Sequence, residues 1–323
     1  VRLPSPSAWG KSRGMIRFTF WILALLGSGS CAVTGFAAAR VEHVFIISID
    51  GCAPWVVEKS HMPTLQKLAA EGAATWHAQT IKPCITLPAH TSMLTGVGVA
   101  KHAITWNNWI ATNGFVKVPT VFTTAKQAGL KTAMFVGKEK FRHFLQPGTV
   151  DEFYYDAANA TAILKSDSGG ADKKKEGNIF ARMVATNAAN YILKRKPNLC
   201  FIHFTDPDSY GHEFGWGSPE QLRAMADSDA GLEIIRQAIR KAGIARRSVV
   251  LVSADHGGHD KGHSKGEPVD MEIPWIAWGK GVKKGFAITA PVNTCDTAAT
   301  ALWLLGLSPM LPLEGNVVQS AFK

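Results

Sequence analysis

Short, continuously apolar runs separated by helix-like segments constrain this chain more than any other feature. His43 to Ile49 is apolar and β-branched, the pattern of a strand buried on both faces. Residues 74–80, 131–136, 198–204, 248–254 and 273–278 read as further strands. Between them lie helical patterns. Pro63 opens a helix to Ala70, with Gly72 behind it. Pro88 opens another to about Leu94. Residues 178–194 carry Ile179, Phe180, Met183, Val184, Tyr191 and Ile192 at helical spacing, and Pro197 follows. Ser218-Pro219-Glu220-Gln221 is a capping-box-like start to a long helix through Leu232, Ile235 and Ile239. Asp296 is placed to cap a last helix ending near Gly306. Alternation of this kind predicts an α/β fold: a mainly parallel sheet with helices on both faces. Residues 97–119 and 145–177 are the least regular and are expected to form loops or a small cap.

The chain has 323 residues, 46% of them apolar and 19% charged, enough for one large core and against disorder. Its net charge is +10, falling to +6 once Arg2, Lys11, Arg13 and Arg17 of the first 39 residues are set aside. No long basic run exists; Lys173, Lys174 and Lys175 are the densest cluster and read as a solvated loop. The balance argues against a nucleic-acid partner and suits an enzyme of small anionic substrates.

Residues 1–39 read as a secretory signal peptide, leaving 40–323 as a single catalytic domain. Arg13 and Arg17 flank a short apolar run, residues 18–26, and small residues end in Ala37-Ala38-Ala39. The run is too short to span a bilayer. Met15 is the expected translation start. Export to the periplasm or outside the cell follows, and no membrane span is expected in the mature chain. A lipid anchor at Cys31 is disfavoured, because Ser28 stands where an apolar residue is needed. Export permits disulfides among Cys52, Cys84, Cys200 and Cys295, with the pairing left open by sequence. The oligomeric state is not legible.

Polar residues collect at the predicted strand ends. Asp50 follows the first strand, Asp206 and Asp208 follow residues 198–204, and Asp255 and His256 follow residues 248–254. In an open parallel sheet these ends share one edge, where ligands bind. Asp208-Ser209-Tyr210-Gly211-His212 sets a carboxylate and an imidazole four apart on a Gly-containing turn. The stretch from Asp255 to His263 adds His256, His259 and His263. His259 and His263 compete for one role, and the glycines before His263 favour it by letting the loop fold back. Carboxylate oxygens with neutral imidazole nitrogens suit two divalent cations, zinc foremost and manganese next. Thr86 sits just ahead of the Pro88 helix, where unpaired N–H groups and the helix dipole favour a phosphate. Its hydroxyl becomes a nucleophile once its proton is withdrawn.

These pieces resemble the alkaline phosphatase superfamily, and within it the type I phosphodiesterase / nucleotide pyrophosphatase family. The resemblance rests on Ile49-Asp50-Gly51, the Thr86 stretch, Asp208…His212 and Asp255-His256-Gly257, in that order over residues 43–306. It implies one metal on Asp50, Thr86, Asp255 and His256, and another on Asp208, His212 and a third histidine. It implies that Thr86 attacks phosphorus to form a phospho-threonine intermediate, which water then hydrolyses. It also implies that Asn107, with Asn108 its neighbouring competitor, donates to a non-bridging phosphate oxygen. The family's downstream Ala-His-Gly reads Ala277-Trp278-Gly279 here, so the last histidine role passes to His263. Thr86-Leu87-Pro88-Ala89-His90 lacks the nucleophile and arginine of a sulfatase motif. The expected activity is a metal-dependent phosphodiesterase. A phosphomonoesterase, a phosphonate hydrolase, a phosphotransferase or a non-catalytic binder of phosphorylated ligands are the alternatives. Trp106, Trp109 and Trp216 are available either for stacking on a leaving group or for packing.

Overall fold

The computed structural model describes residues 40–157 and 180–323. The expected signal peptide, Met15, Cys31, Lys173, Lys174, Lys175 and residues 158–177 of the irregular stretch lie outside them.

Eight strands form one sheet: β1 (His43–Ile49), β2 (Ala73–Gln79), β3 (Thr132–Val136), β4 (Glu152–Tyr154), β5 (Leu199–Phe204), β6 (Ser248–Ser253), β7 (Glu272–Gly279) and β8 (Phe286–Ala287). Their spatial order is β4-β3-β5-β1-β6-β7-β2-β8. All run parallel except β7, which is antiparallel to both of its neighbours. The sheet is therefore mainly parallel, as the alternation predicts. The central strands β1, β3, β5 and β6 are buried at every position. That explains why they read as unbroken apolar runs rather than alternating ones.

Ten helices connect the strands: α1 (Pro54–Val57), α2 (Pro63–Glu71), α3 (Thr86–Thr95), α4 (Val99–His102), α5 (Val121–Gln127), α6 (Ala181–Arg195), α7 (Asp206–Phe214), α8 (Pro219–Lys241), α9 (Pro268–Met271) and α10 (Asp296–Leu304), among the described residues. Helices α2, α6, α7 and α8 pack together, as α3, α5 and α10 do, giving two helical layers. The core runs from Phe45, Ile46 and Ile47 of β1 out to Phe141, Phe144, Leu232, Ile235 and Trp275.

Several local expectations change. Helix α3 starts at Thr86, two residues before Pro88; Pro88 sits in the first turn, where its missing N–H leaves no gap in the ladder. Ser218 caps α8 by accepting from Gln221 N at 3.2 Å. The box is not reciprocal, because the Gln221 side chain instead accepts from Gly217 N and donates to Pro207 O. Cys295, not Asp296, occupies the cap position of α10; the Asp296 carboxylate instead accepts from Asn293 N and Asn316 N. Asp208 and His212 lie on helix α7, not on a turn. Cys52, Cys84, Cys200 and Cys295 are free buried thiols, so none of the disulfides that export permits joins any two of them.

Candidate active site

Four adjacent parallel strands, β3, β5, β1 and β6, end at one edge, and each delivers a charged side chain there. Asp50 follows β1 directly. Gly51 then turns the chain at φ +69°, and a Cβ there would lie 3.0 Å from Asp208 Cα. A side chain at Gly51 would strain the turn and push the Asp50 and Asp208 loops apart. Helix α7 follows β5 and sets Asp208 and His212 one turn apart on the same face. Asp255 and His256 follow β6. The chain then doubles back on itself, with His259 N–H and Gly262 N–H each bonded to the other's carbonyl, and returns His263 to the edge.

The nitrogens and oxygens converge closely. His256 Nε2 is 3.2 Å from Asp255 Oδ2, 3.4 Å from Asp50 Oδ1 and 3.8 Å from Asp208 Oδ1. Asp208 Oδ1 is also 3.3 Å from His212 Nε2 and 3.4 Å from His263 Nε2. Asp50, Asp208 and Asp255, separated by up to 205 residues in sequence, thus meet at one place. His263 joins them; His259 instead pairs with Asp270 at 2.7 Å. Asp206 turns away to accept from Ala181 N at 2.8 Å.

Each imidazole is oriented from behind. His212 donates Nδ1–H to Lys261 O at 2.9 Å, His256 to Gly257 O at 2.9 Å and His263 to Cys84 O at 2.7 Å. That fixes each ring with Nε2 toward the carboxylates, the tautomer a metal ligand needs. Burial, then the charge of His256, lowers the His263 pKa to about 3, so its Nε2 lone pair is free at neutral pH. Burial alone would raise Asp50, but the Lys138 charge and the hydrogen bond from His203 hold it well below the usual range. Burial and then the Asp50 charge push Asp255 up, outweighing the opposing charges of His256 and Lys138.

Asp50 Oδ1, Asp208 Oδ1, Asp255 Oδ2 and His256 Nε2 are buried without hydrogen-bond partners. An orphaned buried carboxylate oxygen is costly, and three together with an imidazole nitrogen form a donor set for cations. Ligand atoms of Asp208, His212 and His263 lie within 4.8 Å of one another, as do those of Asp50, Asp208 and His256. This mix of oxygen and nitrogen donors fits divalent zinc or manganese.

Thr86 opens α3 beside this cluster and is 1% exposed. Ile85 holds the cap position, so Thr86 is not the ordinary N-cap of its helix. His90 ties Thr86 to the cluster: its Nδ1 bonds Thr86 O at 2.8 Å and lies 3.5 Å from Asp255 Oδ2, while its Nε2 bonds Ser48 Oγ at 2.8 Å. Burial keeps His90 neutral. Asn107 accepts Leu87 N–H at 2.8 Å through Oδ1, which leaves its amide hydrogens to donate; the neighbouring Asn108 is exposed. Pro88 has no N–H and that of Leu87 is used. The helix start therefore offers an anion no more than the Thr86 N–H and the Asn107 amide, fewer donors than expected.

Sequence reasoning overlooked Lys138, His203 and His90. Lys138 stands two residues past the end of β3, one further than Asp50 stands past β1, but a search for acids and imidazoles passes over a cation. His203 is a lone imidazole inside the apolar run of β5, and its Nε2 meets Asp50 Oδ2 at 2.8 Å. Trp216 packs rather than stacks on a ligand: it is 7% exposed and donates Nε1–H to Gly51 O at 3.1 Å. Trp106 donates to His143 Nε2 at 3.3 Å, and Trp109 leans on the same ring.

The chain is 22% identical over 245 residues to ectonucleotide pyrophosphatase/phosphodiesterase family member 7 of Mus musculus, covering 70% of this chain and 52% of the relative. It is 32% identical over 142 residues to GPI ethanolamine phosphate transferase 1 of Chaetomium globosum, covering 43% and 15%. The chain thus spans about half the length of the first of these relatives and less of the second. Among solved structures, murine ectonucleotide pyrophosphatase / phosphodiesterase 5, an inactive threonine-to-alanine form in complex with AMP, superposes with a TM-score of 0.68 at 14% identity, covering 87% and 100%. A 2-O GAG sulfatase superposes at 0.66 and 14% identity, covering 87% and 74%. Both likenesses describe the fold. Residues 44–266, which hold every one of the converging side chains, match the type I phosphodiesterase / nucleotide pyrophosphatase description, and the chain belongs to that family.

Proposed function

We propose that this chain is an exported, two-metal hydrolase of phosphate esters that works through a phospho-threonine at Thr86. The observation that carries the reading is the set of orphaned buried donors on Asp50, Asp208, Asp255 and His256, next to a buried threonine at a helix start. Asp50, Asp255, His256 and Thr86 would hold one divalent ion, and Asp208, His212 and His263 the other, with zinc the favoured metal. When bound, such ions acidify a hydroxyl or a water and offset charge on phosphoryl oxygens.

The chain's own groups then act in order. The Asn107 amide donates to a non-bridging oxygen and holds phosphorus in line with Thr86 Oγ. Thr86 gives up its hydroxyl proton to solvent, its Oγ–P bond forms, and the P–O bond to the leaving group breaks on the opposite side. The leaving oxygen is protonated as it departs. Water then attacks phosphorus, the Oγ–P bond breaks, and Thr86 regains its proton. Burial of Thr86 restricts the number of waters that compete in the first step. Residues 40–323 form the single catalytic domain in this reading, and residues 1–39 the export signal. Among the described residues, no helix is long and apolar enough to cross a membrane.

Thr86→Ala tests the proposal. Hydrolysis of a nitrophenyl phosphodiester is expected to fall by on the order of a thousandfold or more while bound metal largely persists. Robust turnover by that variant removes Thr86 as the nucleophile. A nitrophenyl monoester assayed beside the diester separates a phosphomonoesterase. The likeness to ethanolamine phosphate transferases favours a second reading, in which an alcohol rather than water takes the phosphoryl group from Thr86. Product partitioning with added ethanolamine or glycerol distinguishes the two. A single stoichiometric burst, or no product, supports a binder instead.

A further inference from the structure

Lys138 follows β3 and Gly137, and its side chain is 7% exposed. Its ammonium lies 2.7 Å from Asp50 Oδ2 and 2.6 Å from Asp208 Oδ2. The other oxygen of each carboxylate, Oδ1, is buried without a partner. His203 Nε2 adds a second bond to Asp50 Oδ2, and the His203 Nδ1 faces Gly137 N–H at 3.4 Å. Three of these contacts divide the aspartates: one oxygen of each is held by the protein, the other is left open toward the histidine Nε2 atoms. Asp50 and Asp208 also fall in different halves of the two-ion arrangement proposed above.

We propose that Lys138 is a positioning residue that brackets the two metal half-sites. It grips one oxygen of Asp50 and one of Asp208, so that each meets its ion through Oδ1 alone and at a fixed separation. Three physical points support this. Two carboxylates this close repel and rotate apart unless a cation joins them. A carboxylate with both oxygens free can chelate one ion and abandon the geometry of the pair. A buried ion pair adds little net stability, so stability alone does not account for an ammonium at this spot. The bracket rests on the two-metal reading, and its test separates the two.

Lys138→Met, Lys138→Arg and the parent protein are titrated with zinc, and bound zinc per chain is measured. The parent is expected to hold two ions. The Met variant should lose about 10- to 100-fold in affinity for at least one ion, the usual effect of removing a group that orients a ligand. The Arg variant, whose guanidinium presents several donors, should recover most of that loss. Saturating zinc should restore much of the turnover of the Met variant. If the Met variant binds both ions as tightly as the parent, the bracket is wrong. It is equally wrong if both ions are bound and turnover stays lost, since Lys138 then acts on substrate. A parent protein that takes up no zinc sinks the two-metal reading itself. Should the Met variant not fold, a zinc-loaded crystal structure of the parent decides. Lys138 Nζ must remain within hydrogen-bond distance of both Oδ2 atoms, and its departure from either overturns the proposal.

Discussion

Asp208 is the side chain on which both candidate ligand groups depend, because its Oδ1 faces His212, His256 and His263 together. In the proposed arrangement Asp208 and His212 hold the same ion, so Asp208→Ala or His212→Ala should lower bound metal by about one equivalent, read by elemental analysis of the purified protein. An unchanged content removes that residue as a ligand. A different imidazole contributes to acid stability. His102 is buried, its Nδ1 accepts from Ile104 N at 3.0 Å and its Nε2 meets Ser92 Oγ at 3.0 Å. Burial lowers its pKa from 6.5 to about 4, against a partial opposing pull from Glu314. Below about pH 6.5 the unfolded chain takes up a proton that the folded chain refuses. This contribution to stability is thus present above pH 6.5 and lost as the pH falls toward 4. His102→Gln should flatten that part of the profile, seen as a smaller difference between urea midpoints at pH 7.5 and pH 5.

At the scale of elements, the loop after β1, helix α7 and the loop after β6 close on one indole. A Cβ at Gly211 would lie 2.7 Å from the Trp216 ring, and one at Gly258 2.2 Å from it. The backbones approach this closely only because those positions lack side chains. Gly211→Ala should cost about 1–3 kcal/mol by overpacking, measured by chemical denaturation. Because α7 carries Asp208 and His212, it should also weaken metal binding. The glycines were legible in the sequence, but the ring they pack on was not, since Trp216 lies beyond the motif. The same limit applies to α7. The spacing of Asp208 and His212 is legible in the sequence, but Gly211 between them reads as a turn because glycine is a poor helix former; Pro207, in the first turn of α7, is no obstacle. Packing of α7 against α8 overrides that propensity.

For the whole molecule, ions that bind only the folded edge stabilise it by mass action. Saturation at 100 times the dissociation constant adds about 2.7 kcal/mol. A chelator should accordingly lower the melting temperature of the protein by several degrees, with zinc restoring it; an unchanged melting curve argues against a structural share for the ions. Charge is also gathered at this scale. The linear sequence holds no long basic run, yet Lys67, Arg236, Arg240, Arg246, Lys280 and Lys284 line one cavity. That cavity lies beside the Val249–Gly279 pairing, at the strand edge opposite the acids.

Sequence alone determined the strand–helix alternation, the buried parallel strands and the acidic and imidazole residues at strand ends. Those are local properties: hydrophobic period, chain-breaking residues and the position of a charge just past an apolar run. Only the tertiary structure decided which side chains face one another. It brought His263 rather than His259 to Asp208, reversed β7, left the thiols unpaired and set Lys138 between two aspartates. Each of these depends on contacts between segments tens to hundreds of residues apart, where burial and electrostatic pairing, not local pattern, select the partner.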